Sequence, residues 1–126
     1  MKVLTRAEFL ALKGPLLYTK WDKEWSHPNQ SLEIKYQTTG NDWTCQGLDP
    51  LFSKLPEHPE VDEREVWAYI AEHNYKGPIQ IDLEFAGRDG CFDQEDRYVV
   101  LEAHDVAEVL RKVTECYQQA LANEKQ

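Results

Sequence analysis

The chain has 126 residues, of which 41% are hydrophobic and 29% charged, and its formal net charge is −9. This length predicts one domain, residues 1–126, and the hydrophobic fraction with four tryptophans argues against a disordered chain. No apolar run approaches the roughly 20 residues of a membrane-spanning helix. The first residues, MKVLTRAEFLALKG, are too short and too charged for a signal peptide. We therefore expect a cytoplasmic protein without a membrane partner.

The negative charge is concentrated in one part of the chain. Residues 57–108 contain fifteen acids and four bases, a net charge of −11, whereas residues 1–56 and 109–126 each carry +1. A field of this sign repels nucleic-acid phosphates and attracts cationic surfaces. We expect no direct contact with nucleic acid. If the charge is functional, the partner is a protein with a basic surface.

The first half of the chain predicts one short helix followed by three strands. Thr5 and Glu8 have the spacing of a capping box, so a helix is expected over residues 6–13, where Gly14-Pro15 ends it. Strands are expected at residues 16–21, 32–39 and 42–46. Polar and apolar residues alternate in the second strand, and Gly40-Asn41 is a turn signal, which favours a hairpin between the last two.

The second half predicts two helices and two strands. Asp62 and Asp105 have the position of N-caps, so one helix is expected over residues 63–74 and another after Asp105. The last helix has an apolar stripe at helical spacing, formed by Val106, Val109, Leu110, Val113, Tyr117 and Leu121. Residues 79–85 and 97–102 are expected to pair as a hairpin. The predicted class is α+β, with an antiparallel sheet of about five strands, helices packed on one face, and the order αβββαββα.

The acidic residues near this expected hairpin are the first candidate site. Residues 86–96 would form its loop, and Asp82 and Glu84 would project from one face of the preceding strand. The loop composition suits calcium, but the EF-hand spacing is absent. Two neighbouring carboxylates can serve as acid and base, yet alternating acids are ordinary on an outer sheet face. We expect a partner-binding surface and no metal. Its residues are Asp82, Glu84, Asp89, Phe92, Asp93, Glu95 and Asp96.

No sequence motif indicates an enzyme. The three cysteines contain no CxxC pair, the four histidines lack metal-ligand spacing, and no phosphate-binding glycine loop or GxSxG elbow occurs. We expect no catalytic residue and no cofactor.

The tryptophans support an alternative hypothesis. Trp43 is near the hairpin turn, and Trp25 lies in the charged segment DKEWSHPN. Tryptophan fills cores, but it also stacks on ligands and anchors interfaces. The chain would then be an oligomeric protein that sequesters a small ligand or nucleotide, with Trp25 and Trp43 as stacking residues. A homodimer remains open under either hypothesis.

Three segments carry a resemblance. LTRAEFLALKGPLLYTKW, TTGNDW and GRDGCFDQEDRYVVLEAHDV are similar to segments of small uncharacterised proteins encoded by phages and prophages. The resemblance implies a protein that inhibits or redirects a host component. The leading hypothesis is a non-enzymatic acidic inhibitor of a host or defence protein, with its acids mimicking nucleic-acid phosphates if that protein binds nucleic acid.

Overall fold

A computed structural model describes residues 1–24, 26–28, 31–84 and 86–126. Within these ranges the strands are β1 (Lys2–Thr5), β2 (Leu16–Asp22), β3 (His27–Pro28), β4 (Glu33–Thr39), β5 (Asp42–Gly47), β6 (Ser53–Lys54), β7 (Gln80–Ile81), β8 (Gly87–Arg88) and β9 (Arg97–Val100). The helices are α1 (Arg6–Ala11), α2 (Val66–His73) and α3 (Ala103–Glu124), and a 3₁₀ turn at Glu63–Glu65 precedes α2.

The strands form one seven-stranded sheet and one small ladder. The order in the sheet is β1-β9-β2-β4-β5-β8, with β3 added beside β2, and β6 pairs with β7 separately. The pairs are antiparallel throughout this part of the chain. The predicted α+β class with an antiparallel sheet is confirmed, and the sheet has more strands than the five expected.

Aromatic side chains form the core between α1 and one face of the sheet. Phe9 of α1 stacks on Tyr98 with ring centroids 4.4 Å apart and meets the edge of Trp43 at 5.0 Å. The Trp43 indole N–H donates to the Tyr18 hydroxyl at 3.0 Å, and that hydroxyl donates to Glu33 at 2.6 Å. The polar atoms of Trp43 and Tyr18 are thus paired, as burial requires.

The predicted capping box of α1 is confirmed. The Thr5 hydroxyl accepts from the Glu8 amide at 3.2 Å, and the Glu8 carboxylate accepts from the Thr5 amide at 3.0 Å. The helix ends at Ala11, two residues earlier than predicted. There the amine of the buried residue Lys35 donates to the Leu12 carbonyl at 2.7 Å. A side chain of β4 thus supplies a hydrogen bond to a carbonyl that the end of the helix leaves without a helical partner.

The predicted hairpin between residues 79–85 and 97–102 is wrong. β9 lies between β1 and β2, with Tyr98 opposite both Leu4 and Lys20. In the earlier segment only Gln80–Ile81 forms a strand among the described residues, and it pairs with β6. Asp82 and Glu84 therefore do not share the face of a strand. β1 is not predicted, because a four-residue strand that ends at the helix cap Thr5 has no alternation long enough to detect.

The predicted start of the last helix is also wrong. Glu102 is the N-cap of α3, and Asp105 is the third helical residue, whose carboxylate accepts from the Glu102 amide at 2.9 Å. The capping box is present three residues earlier than expected. The second helix is shorter than predicted, because a 3₁₀ turn replaces its first residues and Asn74, at φ 49°, ends it.

The helices differ in how they pack. α1 covers the core, whereas α3 has no buried residue, and each residue from Leu110 to Gln126 is exposed. Among the described residues, no helix combines the length and apolar character needed to cross a membrane.

Candidate partner-binding surface

The acidic segment, defined here as residues 86–96, extends the edge of the sheet instead of forming a hairpin loop. Its first residues form β8, which pairs with β5 through Thr44 opposite Arg88 and Cys45 opposite Gly87. The Asp89 amide continues this contact by donating to the Trp43 carbonyl at 3.1 Å. The segment then turns at Gly90, whose φ of 69° is readily adopted only by glycine.

Asp42 is the first anchor of this segment. Its carboxylate is buried, accepts from the Gly90 amide at 3.2 Å and the Trp43 amide at 2.8 Å, and pairs with Arg88 at 3.1 Å. Burial disfavours the charged form of Asp42. The two amides and the arginine outweigh this effect, so the pKa of Asp42 lies below its usual value.

Asp89 is the second anchor. Its side chain is 6% exposed and pairs with Lys20 of β2 at 2.8 Å. The same carboxylate accepts from the Cys91 amide at 3.1 Å. Burial opposes the charge on Lys20, but the Asp89 carboxylate outweighs it and raises the pKa of the lysine.

Lys23 is the third anchor and bridges two acids. Its amine lies 2.6 Å from Asp93 and 3.3 Å from Asp96. Asp93 also accepts from the Glu95 amide at 2.9 Å, and Asp96 accepts from the Cys91 thiol at 3.2 Å. The hydrogen bond from Lys23 lowers the pKa of Asp93, and the amide of Glu95 adds to the effect. The last part of the segment is therefore held against the end of β2.

Phe92 is the exposed apolar residue of the segment. Its side chain is 54% exposed, and its ring centre lies 5.7 Å from the Arg6 guanidinium carbon. Glu95 is exposed nearby in the chain, and about half of the Asp93 side chain is accessible. We call Phe92, Asp93 and Glu95 the tip. The tip presents one aromatic ring and two carboxylates on a backbone that the three anchors fix.

The other two predicted acids lie outside the segment. Asp82 is buried, accepts from the Glu84 amide at 3.0 Å and pairs with Lys54 at 3.3 Å. Glu84 is exposed. The seven predicted residues thus fall into three groups: paired acids of low exposure (Asp82, Asp89 and Asp96), exposed residues (Glu84, Phe92 and Glu95), and Asp93, which is paired but half accessible. The prediction that they bind a partner stays a prediction.

The tryptophans of the alternative hypothesis have different positions. Trp43 is fully buried in the core, where its ring lies 4.8 Å from the Arg6 guanidinium. Stacking on a ligand would require the core to open. Trp25 lies outside the described residues, so the alternative hypothesis rests on a residue without a described position.

Arg6 is a central residue that the sequence did not indicate. It is 1% exposed, and it donates to the Tyr98 hydroxyl at 2.9 Å and to the Asn41 carbonyl. Its Nε atom is buried without a hydrogen-bond partner among the described residues. An arginine at the first position of a helix is ordinarily solvated, so no local pattern reveals that this one lies behind Phe92.

Two of the larger cavities in the described chain show no activated nucleophile among the side chains that line them. One of about 520 Å³ lies between the end of α1 and β4, lined by Leu10, Leu12 and Tyr36. Another of about 410 Å³ is lined by Glu33, Cys45 and Arg88. Burial raises the pKa of Cys45 to about 11, which keeps it a neutral thiol at neutral pH.

Metal ligands are not gathered either, as far as the structure describes the chain. No group of three or more His, Cys, Asp or Glu side chains there is placed to hold a metal ion.

Comparison with known proteins gives no relative: the chain matches no known protein family, no curated protein and no solved structure.

Proposed function

We propose that this protein is a non-enzymatic binding protein that engages a basic surface of another protein through the tip, Phe92, Asp93 and Glu95. The observation that carries this proposal is the exposed Phe92 ring on an anchored backbone, beside the exposed carboxylate of Glu95 and the half-accessible carboxylate of Asp93, which is paired with Lys23. Burial of an exposed aromatic ring against a partner is favourable, and aromatic anchors beside charged groups are typical of protein interfaces.

Rigidity supports this function because binding then costs less conformational entropy. Asp42 ties the segment to β5, whereas the pairs of Asp89 with Lys20 and of Asp93 with Lys23 tie it to the end of β2. These contacts restrict the tip before a partner arrives, which lowers the entropic cost of binding.

The charge of the chain defines the class of partner. A net charge of −9 favours encounter with a lysine- and arginine-rich protein and disfavours nucleic acid. If the partner itself binds nucleic acid, the acidic surface competes with phosphate for its bases. In the setting of the phage resemblance, the protein inhibits a host or defence component in this way.

Affinity capture with paired variants tests the proposal. Phe92→Ala is compared with Val3→Ala, because the two side chains are 54% and 58% exposed and Val3 lies on β1, at the opposite edge of the sheet from β8. We expect Phe92→Ala to weaken the captured interaction by about 2 kcal/mol, roughly 30-fold in Kd, and Val3→Ala to leave it unchanged.

A charge-matched pair completes the test. Glu95→Gln and Glu124→Gln each remove one exposed carboxylate, the first from the tip and the second from the end of α3. Glu95→Gln should reduce the dependence of binding on salt concentration and Glu124→Gln should not, because of the two charges only that of Glu95 belongs to the proposed surface. Equal behaviour of both pairs of variants would refute the tip as the binding surface.

A further inference from the structure

The outer part of α3 carries an apolar stripe that nothing in the described chain covers. Leu110, Val113, Tyr117 and Leu121 are 63%, 57%, 62% and 38% exposed. Since successive helical residues are rotated by about 100°, these four and Val106 fall within an arc of about 80°. The stripe runs along the whole helix.

The opposite side of α3 is polar and electrically balanced. Arg111 pairs with Glu108 and with Glu115, and Lys112 also lies 3.5 Å from Glu115. Two acids and two bases cancel. A helix that binds an anionic membrane has a basic polar face, and a helix that docks on a charged partner has a face of one sign. Neither description fits α3.

A helix in this position needs a packing partner. The residues from 110 to 124 extend about 22 Å at 1.5 Å per residue, and they make no buried contact with the sheet. Isolated helices of this length are marginal in water, since helices in proteins are stabilised mainly by packing of an apolar face.

We propose that α3 packs antiparallel against α3 of a second copy of this chain, about a two-fold axis near Val113. The stripe is self-complementary in this orientation. Leu110 faces Tyr117 of the second copy, Val106 faces Leu121 of the second copy, and Val113 meets its own counterpart. Each contact occurs twice, as a two-fold interface requires.

Charge selects the antiparallel orientation. Residues 1–108 carry a net charge of −10, from +1 in residues 1–56 and −11 in residues 57–108, while residues 109–126 carry +1. Parallel helices would place two strongly acidic bodies side by side. Antiparallel helices place them at opposite ends of a pair about 33 Å long, well beyond the screening length of about 8 Å in physiological salt.

The interface extends beyond the two helices. A helix about 33 Å long and 10 Å wide offers a projected area of roughly 330 Å² per copy, so the two helices together offer roughly 660 Å², below the roughly 1,200 Å² typical of stable complexes. Leu17, Ile34 and Leu101 line a cleft of about 250 Å³ next to Val106 and add apolar surface to the interface. The antiparallel register brings Leu121 of the second copy to the mouth of this cleft.

Light scattering on the full chain tests the association. The wild-type chain is expected to be dimeric at concentrations from about 1 to about 100 µM. Val113→Glu places two carboxylates against each other at the axis and should weaken the dimer at least about 100-fold. Gln119→Glu adds the same charge on the opposite side of α3 and should not. Because α3 contributes no buried residue, near-ultraviolet circular dichroism of the aromatic core should show both variants folded, even where loss of the dimer frays α3.

Disulfide trapping in a Cys116→Ser background tests the orientation. The double variant Val106→Cys, Leu121→Cys should form an intermolecular disulfide on oxidation, whereas Leu121→Cys alone should not, because its two copies lie about 22 Å apart along the pair. A monomeric wild-type chain, or a dimer that survives Val113→Glu, overturns the proposal. Trapping by Leu121→Cys alone overturns the antiparallel arrangement.

Discussion

Replacing Asp42 by asparagine tests whether the buried acid anchors the acidic segment. Asp42 accepts hydrogen bonds from the Trp43 and Gly90 amides and pairs with Arg88. The asparagine side chain would retain the shape but lose the charge. A hydrogen bond to a charged group contributes about 1.5–3 kcal/mol and a neutral one about 0.5–1.5, so two amides lose about 2 kcal/mol together. Arg88 is 60% exposed, and its ion pair adds at most about 1 kcal/mol.

Urea unfolding at neutral pH measures this loss. With a slope of about 2 kcal/mol per molar urea, a change of about 2–3 kcal/mol lowers the midpoint by about 1–1.5 M. Glu95→Gln removes an equal charge from an exposed side chain and should leave the midpoint within about 0.3 M of the wild type. Hydrogen exchange should show the amides of residues 89–96 opening faster only in Asp42→Asn.

The pH dependence supplies an independent check of the same anchor. The pKa of Asp42 is lowered by folding, so its contribution to stability is complete above the unfolded pKa near 3.9 and disappears as the pH falls through the folded value. The difference in unfolding free energy between wild type and Asp42→Asn should therefore shrink below about pH 4. A difference that is small at pH 7, or that persists undiminished in acid, would refute the anchoring role.

Two further predictions concern the packing and the thiols. Gly14→Ala should destabilise the protein by about 2–3 kcal/mol, because a Cβ there would overlap the backbone carbonyl of Lys35, whereas Gly87→Ala has open space and should stay within about 0.5 kcal/mol of the wild type in urea unfolding. In a time course of alkylation at pH 8 followed by mass spectrometry, exposed Cys116 should react at least about tenfold faster than Cys45, whose pKa burial raises to about 11; equal rates would contradict the burial of Cys45.

The sequence predicts best those structures that depend on neighbouring residues, such as helix caps and turns. The capping box of Thr5 and Glu8 and the hairpin around Gly40 depend on residues within a few positions of each other, and both are present. Failures arose where distant residues decide the structure. β9 inserts between β1 and β2, and no spacing in the sequence reports a pairing between residues nearly one hundred positions apart.

The alternation of apolar and polar residues in 79–84 predicts a half-buried strand, and this prediction is wrong for a different reason. Ile79, Ile81 and Leu83 alternate with polar residues as in a half-buried strand, yet they are 43%, 50% and 44% exposed. The pattern indicates a face that is able to pack, not that anything in the chain packs on it.

The sequence indicates which acidic residues belong to the candidate site, but not which of them pair within the protein and which stay exposed. Asp89 and Glu95 look equivalent in the sequence. Their difference comes from Lys20, a residue 69 positions before Asp89, which lies next to one acid and not the other. A sequence read without its fold assigns both acids to a partner, although one of them holds the protein together.

This division changes where the attractive field for a partner comes from. Within and around the acidic segment, Lys20, Lys23 and Arg88 offset Asp89, Asp93 and Asp42, so the remaining net charge is that of Glu95 and Asp96. Residues 57–76 carry six acids against two bases, and Glu65 and Glu72 on this stretch line an open cleft of about 450 Å³. The larger part of the long-range attraction therefore originates near α2, while the short-range contact is Phe92.

The two regions should separate in binding kinetics. Glu65→Gln with Glu72→Gln should lower the association rate several-fold at low salt and leave the dissociation rate unchanged, because steering acts before contact. Phe92→Ala should raise the dissociation rate about 30-fold and barely change association, because a buried aromatic anchor acts after contact. Surface plasmon resonance with the captured partner at two salt concentrations measures both rates. If the glutamines change dissociation instead, α2 itself is part of the contact surface and the tip is not the only point of attachment.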